Sequence, residues 1–168
     1  MDCPNCAAPM ELSVRHGACV CSHCGTFHFS DTADSQGIRV LGPSETPLPC
    51  PVCGPPLVLA ILDRQRVDYC STCRGVLVPR HGFAEMVRRR RSWAEGPPVI
   101  PIPPEPGEFR RQLACPRCGD PLTVDRYYGP GNIVMDLCIS CDWVWLDYGE
   151  LKQIADAPGS DRGSRDPS

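Results

Sequence analysis

The pattern Cys-Pro-x-Cys occurs three times in the 168-residue chain, at Cys3, Cys50 and Cys115, and each copy is answered by a second Cys-x-x-Cys pair. The stretches between the pairs are rich in β-branched and aromatic residues. Two of the second pairs are also followed by apolar residues at helical spacing. Together these observations predict a small, metal-stapled, β-rich (α+β) fold. It consists of three tandem zinc ribbons, each a β-hairpin plus a third short strand, with the second and third each followed by a short helix.

The repeat is explicit. "CPNCAAPM", "CPVCGPPL" and "CPRCGDPL" all read Cys-Pro-x-Cys-small-x-Pro-apolar, and 14, 16 and 19 residues separate each from its partner pair. Two Cys-x-x-Cys pairs at about this separation have the spacing of a four-thiolate zinc site. The expected ligands are Cys3, Cys6, Cys21 and Cys24; Cys50, Cys53, Cys70 and Cys73; and Cys115, Cys118, Cys138 and Cys141, for three zinc ions. The start of the chain lacks a basic-then-apolar leader, and no segment has the roughly 18 apolar residues of a membrane span, so we expect a soluble, cytoplasmic protein. Thiols stay reduced there, which favours metal over disulfides.

Between the pairs, "LTVDRYY" and "IVMDL" flank the turn cluster Gly129 to Asn132, while "LVLAIL" and "RVDY" flank Asp63 to Gln65. Each reads as a hairpin that carries its two cysteine pairs to one end. A hairpin alone is marginal in water, and zinc contributes on the order of 10 kcal/mol to such a fold. Superposing Cys73 on Cys141 aligns Leu77 with Trp145, Val78 with Leu146, Phe83 with Leu151, Met86 with Ile154 and Val87 with Ala155. The spacing predicts an amphipathic helix after each. Asp147 and Glu150 stand three apart, as an N-cap and its reciprocal partner would. In the first module Asp34 and Gly37 fall where the inward helix residues should be, so no helix is expected there.

The segment "CPRCGDPL…CISCDWVWLDYGELKQI" resembles the bacterial transcription-factor-IIB-type zinc-finger family. The likeness is close over 115–155, degenerate over 50–87, where "LVPRHGF" stands for "WLDYGEL", and confined to the cysteines and first loop over 3–29. The resemblance implies a zinc ribbon and zinc binding, with transcription as the context of the family's name. Trp143 departs from it, since members usually carry glycine near that place.

The domain organisation expected is ribbon 1 at 1–29, a linker at 30–49, ribbon 2 with an Arg-rich helix at 50–92, a Pro-rich linker at 93–114, ribbon 3 at 115–157 and a disordered tail at 158–168. The linker "AEGPPVIPIPPEPGEF" has six prolines in sixteen residues, which favours an extended spacer.

Each site has all its positions filled by cysteine, so no catalytic residue is assigned and no small-molecule substrate is evident. The functional expectation is a non-enzymatic zinc protein that presents its ribbons to a protein partner. One alternative is a rubredoxin-like iron carrier or a thiol-redox protein using Cys19, because four thiolates suit iron as well. Another is nucleic-acid binding through Arg88 to Arg91, supported by Arg110, Arg111 and Arg117. Against it, four consecutive helical residues point around most of the circumference. The formal charge is also −3, falling to −9 with twelve thiolates and three divalent ions. His16, His23, His28 and His81 are expected in turns or on surfaces. Trp145 is assigned to the core and Trp143 to a contact surface.

Overall fold

The computed structural model describes residues 2–13, 18–28, 33–44 and 46–164. The first module is a three-stranded antiparallel sheet of β1 (Met10–Ser13), β2 (Ala18–Cys21) and β3 (Phe27–His28). Among the described residues no helix follows β3. His16 lies outside the described residues.

The second module carries β5 (Val58–Leu62), β6 (Gln65–Tyr69), β7 (Val76–Pro79) and helix α1 (Arg80–Ser92). Its hairpin closes through Asp63 and Arg64, both at positive φ (48° and 69°), between the paired residues Leu62 and Gln65. Two left-handed residues in a two-residue loop match the right-handed strand twist and set the register. The third module repeats the order with β8 (Thr123–Arg126), β9 (Val134–Cys138), β10 (Trp143–Leu146) and α2 (Glu150–Asp156).

The two modules are not beads on a string. β7 pairs antiparallel with β10, Trp143 opposite Pro79, Val144 opposite Val78, Trp145 opposite Leu77 and Leu146 opposite Val76. A strand from the expected 30–49 linker, β4 (Arg39–Pro43), adds to β5, so the sheet runs β4-β5-β6-β7-β10-β9-β8. The central strands are buried on both faces, which explains why they read as continuous apolar runs. Val76, Val78, Val144 and Leu146 point to the helices and join Phe83, Met86, Leu151 and Ile154 in one core. Leu77 and Trp145 point the other way and join Leu57, Leu122 and four cysteines in a second. Every pair aligned by superposing Cys73 on Cys141 is buried in both modules.

Three expectations need correction. The 30–49 segment is not simply a linker: Ile38 is buried and β4 pairs with β5, because the outer edge of the hairpin would otherwise leave its backbone donors unmet. The Pro-rich segment is not a free spacer. The Val99 N–H donates to the Asp156 carbonyl at 2.8 Å, and Gln153 Nε2 donates to the Ile102 carbonyl at 3.4 Å, so the segment runs along α2. The tail is held at least as far as Gly163: Asp161 pairs with Arg91, Arg162 donates to the Glu95 and Gly96 carbonyls, and the Gly163 N–H donates to the Arg91 carbonyl at 2.8 Å. Residues 165–168 lie outside the described residues.

Candidate metal centres

Each cysteine pair sits on a tight turn of one design. In five of the six, the residue four after the first cysteine donates its N–H to that cysteine's carbonyl, as Gly54 does to Cys50 (3.0 Å), Arg74 to Cys70 (2.8 Å) and Gly119 to Cys115 (2.8 Å). That residue always follows the second cysteine and has positive φ: Ala7, Gly25, Gly54, Arg74, Gly119 and Asp142. Half of them are glycine, which the left-handed region favours. The turn aims both sulfurs to the same side.

The twelve sulfurs gather in the three groups read from the sequence, the Sγ atoms of each group lying within 4.8 Å of one another. Cys6 Sγ lies 3.5 Å from Cys21 and 3.4 Å from Cys24; Cys53 lies 3.5 Å from Cys50 and 3.4 Å from Cys70; Cys118 lies 3.6 Å from Cys138. A tetrahedron with Zn–S bonds of about 2.3 Å has edges of about 3.8 Å, so the groups need only slight expansion to hold an ion. No cysteine is in a disulfide.

The electrostatics point the same way. Burial raises the Cys70 thiol, but amide donors from Cys73 and Thr72 outweigh it and bring it to about 7. The Thr26 hydroxyl and amide bring Cys24 down to about 5. Other thiols are driven up: burial and the neighbouring Cys70 and Cys50 sulfurs lift Cys53 to about 11. Four sulfurs this close cannot all ionise without a cation between them. A divalent ion removes that conflict, and these are three four-cysteine clusters suited to zinc. When bound, the ion would cross-link both ends of each hairpin.

Residues 49–87 and 114–157 match the family of transcription factor zinc-fingers, of the TFIIB zinc-ribbon type. The match takes in the second and third modules and not the first. The human metastasis-associated protein MTA2 is 32% identical over 74 residues, which cover 41% of this chain. The chain spans only 11% of that relative's length. No solved structure matches.

Around the two family ribbons the structure reassigns several residues. Trp145 is fully buried, its indole N–H donating to Asp147 Oδ1 at 3.0 Å, and it lies over Gly75 of the other ribbon. A Cβ at Gly75 would fall 2.2 Å from the Trp145 ring, so that glycine is a seat for the tryptophan. Trp143 is half-buried rather than a bare contact surface: the Arg117 guanidinium stacks 3.8 Å from its ring and reaches Asp68 of the second ribbon at 3.3 Å. Asp147 does not cap α2 with its side chain. Its carboxylate serves Trp145 and Arg111, while Glu150 Oε2 accepts the Asp147 N–H at 2.7 Å as expected of the reciprocal partner. Gly149, with φ 94°, takes the cap position.

Two arginines of the run, Arg90 and Arg91, turn into the molecule. Arg91 is 1% exposed, donating to the Ile154 carbonyl (2.6 Å) and the Ala157 carbonyl (3.0 Å) at the end of α2, with Asp161 on its outer side. Arg90 pairs with Asp63 and donates to the Gln36 carbonyl, and Arg88 pairs with Glu85 on the surface. Arg111 pairs with the buried Asp136 and with Asp147. These contacts turn Arg90 and Arg91 inward and leave Arg88 of the run on the surface. Cys19 is outside the three metal groups; it is paired in register with Leu12 and His28. Gly75, Arg91 and Arg111 carry no sequence motif, since their roles depend on elements distant along the chain.

Proposed function

We propose that the chain is a non-enzymatic, cytosolic tandem zinc-ribbon protein that binds a protein partner, with transcription as its setting. The observation that carries this reading is the donor set. Each site draws four ligand atoms from cysteine, which leaves no position for water or substrate on a tetrahedral ion. Exposed apolar side chains support the partner: Ile100 and Ile102, 76% and 75% exposed, stand on the strap along α2. The description of the matching family is consistent with a transcriptional setting. No helix among the described residues is long and apolar enough to cross a membrane.

The test has two parts. Elemental analysis of untagged protein should return three zinc ions per chain, and iron with a red colour in their place would establish the electron-carrier alternative. Cross-linking of the metallated chain in its host's extract, repeated after chelation, should give a partner whose capture requires zinc. Capture that is indifferent to metal would overturn the ribbon-surface reading.

A further inference from the structure

The pairing of β7 with β10 relates the second and third modules by an approximate twofold, so each place in one has a counterpart in the other. In the second module the place between the start of α2 and the hairpin edge is filled by the chain itself. Ile38 is 3% exposed in the helix-side core, and β4, which follows it directly, pairs with β5. The approach is fixed by Asp34, whose Oδ1 accepts the N–H groups of Gln36 and Ile38 at 2.9 Å each, and by Arg90, which donates to the Gln36 carbonyl at 2.5 Å.

At the counterpart in the third module, between the start of α1 and β8, lies a groove of about 350 Å³ lined by Phe83, Ala84, Tyr127, Met135, Leu137 and Val144. Its floor is half-buried apolar surface, and it is continuous with the core that joins the ribbons, because Phe83 and Val144 belong to both. β8 is the last strand of the sheet, with no strand on its outer edge among the described residues. The rim carries Arg80, which pairs with Asp142 at 3.8 Å, with Asp125 and with Arg126, whose guanidinium lies 5.3 Å from the Phe109 ring.

Resting on the reading of the chain as a protein-binding module, we infer that this groove docks an extended segment of another protein. The segment carries a branched aliphatic anchor with a carboxylate a few residues before it, and it lies along β8 as Ile38 and β4 lie along β5. Strand addition beside the turn Glu108–Arg110, which packs against β8, supplies main-chain hydrogen bonds, and the anchor in the groove supplies selectivity. The carboxylate fixes the approach by accepting the segment's own N–H groups, as Asp34 does for Gln36 and Ile38 in the internal segment. A second copy is the poorer occupant, since its residues 34–43 could enter only by leaving their own core.

The internal segment provides the probe. A fluorescent peptide of residues 33–44 should bind the zinc-loaded full chain in trans, shifting the Met135 methyl resonance. Binding should weaken about tenfold when the peptide carries Ile38→Asp or the protein carries Ala84→Arg. Ala84 is exposed on α1, so that variant should keep its three zinc ions and its thermal midpoint. No binding at about 1 mM peptide, or binding indifferent to Ala84→Arg, overturns the groove. A dimer that Ala84→Arg dissociates would replace the foreign segment with a second copy. Loss of the groove with zinc-dependent partner capture intact would leave the broader reading standing, so the two failures are separable.

Discussion

At the residue scale, Gly75 and Trp145 are one device split between two ribbons. The indole fills the second core only because the facing strand end has no side chain, with 2.2 Å left for a Cβ. Gly75→Ala should therefore cost about 1–3 kcal/mol through overpacking, read as a lower urea midpoint of the zinc-loaded protein. Glu150 provides a pH-dependent counterpart. Burial lifts its carboxyl to about 8, against the pull of the Asp147 N–H, and the Asp147 carboxylate adds to the rise. The sign follows from which state keeps the proton. Below about pH 4 Glu150 is neutral in both states; between about 4.3 and 8 the unfolded chain ionises while the folded one does not, so stability falls as pH rises. Glu150→Gln, which keeps the acceptor for Asp147, should gain on the native protein across that window. Urea midpoints of the two proteins at pH 5 and pH 8.5 check it, and a constant difference would contradict it.

At the element scale, helix α1 shows how a charge run can be misleading. An Arg-rich helix end looks like a phosphate-binding face, yet Arg91 turns inward to meet the carbonyls at the end of α2, where cations are favoured. Removing one partner of a buried charge network is costly, so Arg91→Ala should destabilise by about 3–5 kcal/mol, whereas Arg88→Ala, whose partner Glu85 is on the surface, should change stability by under about 1 kcal/mol. Thermal unfolding of the two variants distinguishes a capping arginine from an interchangeable one. The expected helices could be read because their apolar residues recur at i, i+3 and i+4. The role of Arg91 could not be read, since its acceptors lie more than 60 residues away.

At the scale of the whole molecule, the second core contains cysteines from two metal groups, Cys50 and Cys70 with Cys115 and Cys138, packed around Leu77 and Trp145. The two sites thus share a wall. Cys138→Ser, which breaks the third site, should loosen zinc at the second, while the first site, on its own sheet, keeps its ion. Zinc release to a chromophoric chelator, followed with the native protein and the variant, should show two ions leaving together; independent release of all three would contradict the shared core.

What the sequence by itself determined is the metal chemistry and the local build. Cys-x-x-Cys pairs, turn residues and period-two or helical apolar spacing are short-range patterns, and each specified its turn, hairpin or four-sulfur group. Only the tertiary structure decided that the second and third ribbons form one sheet, that 34–43 completes its edge, that Trp143 lies under Arg117, and that Arg90 and Arg91 turn inward. Those outcomes depend on pairing β7 with β10. An apolar strand face records that it must be buried, but it does not record against which partner.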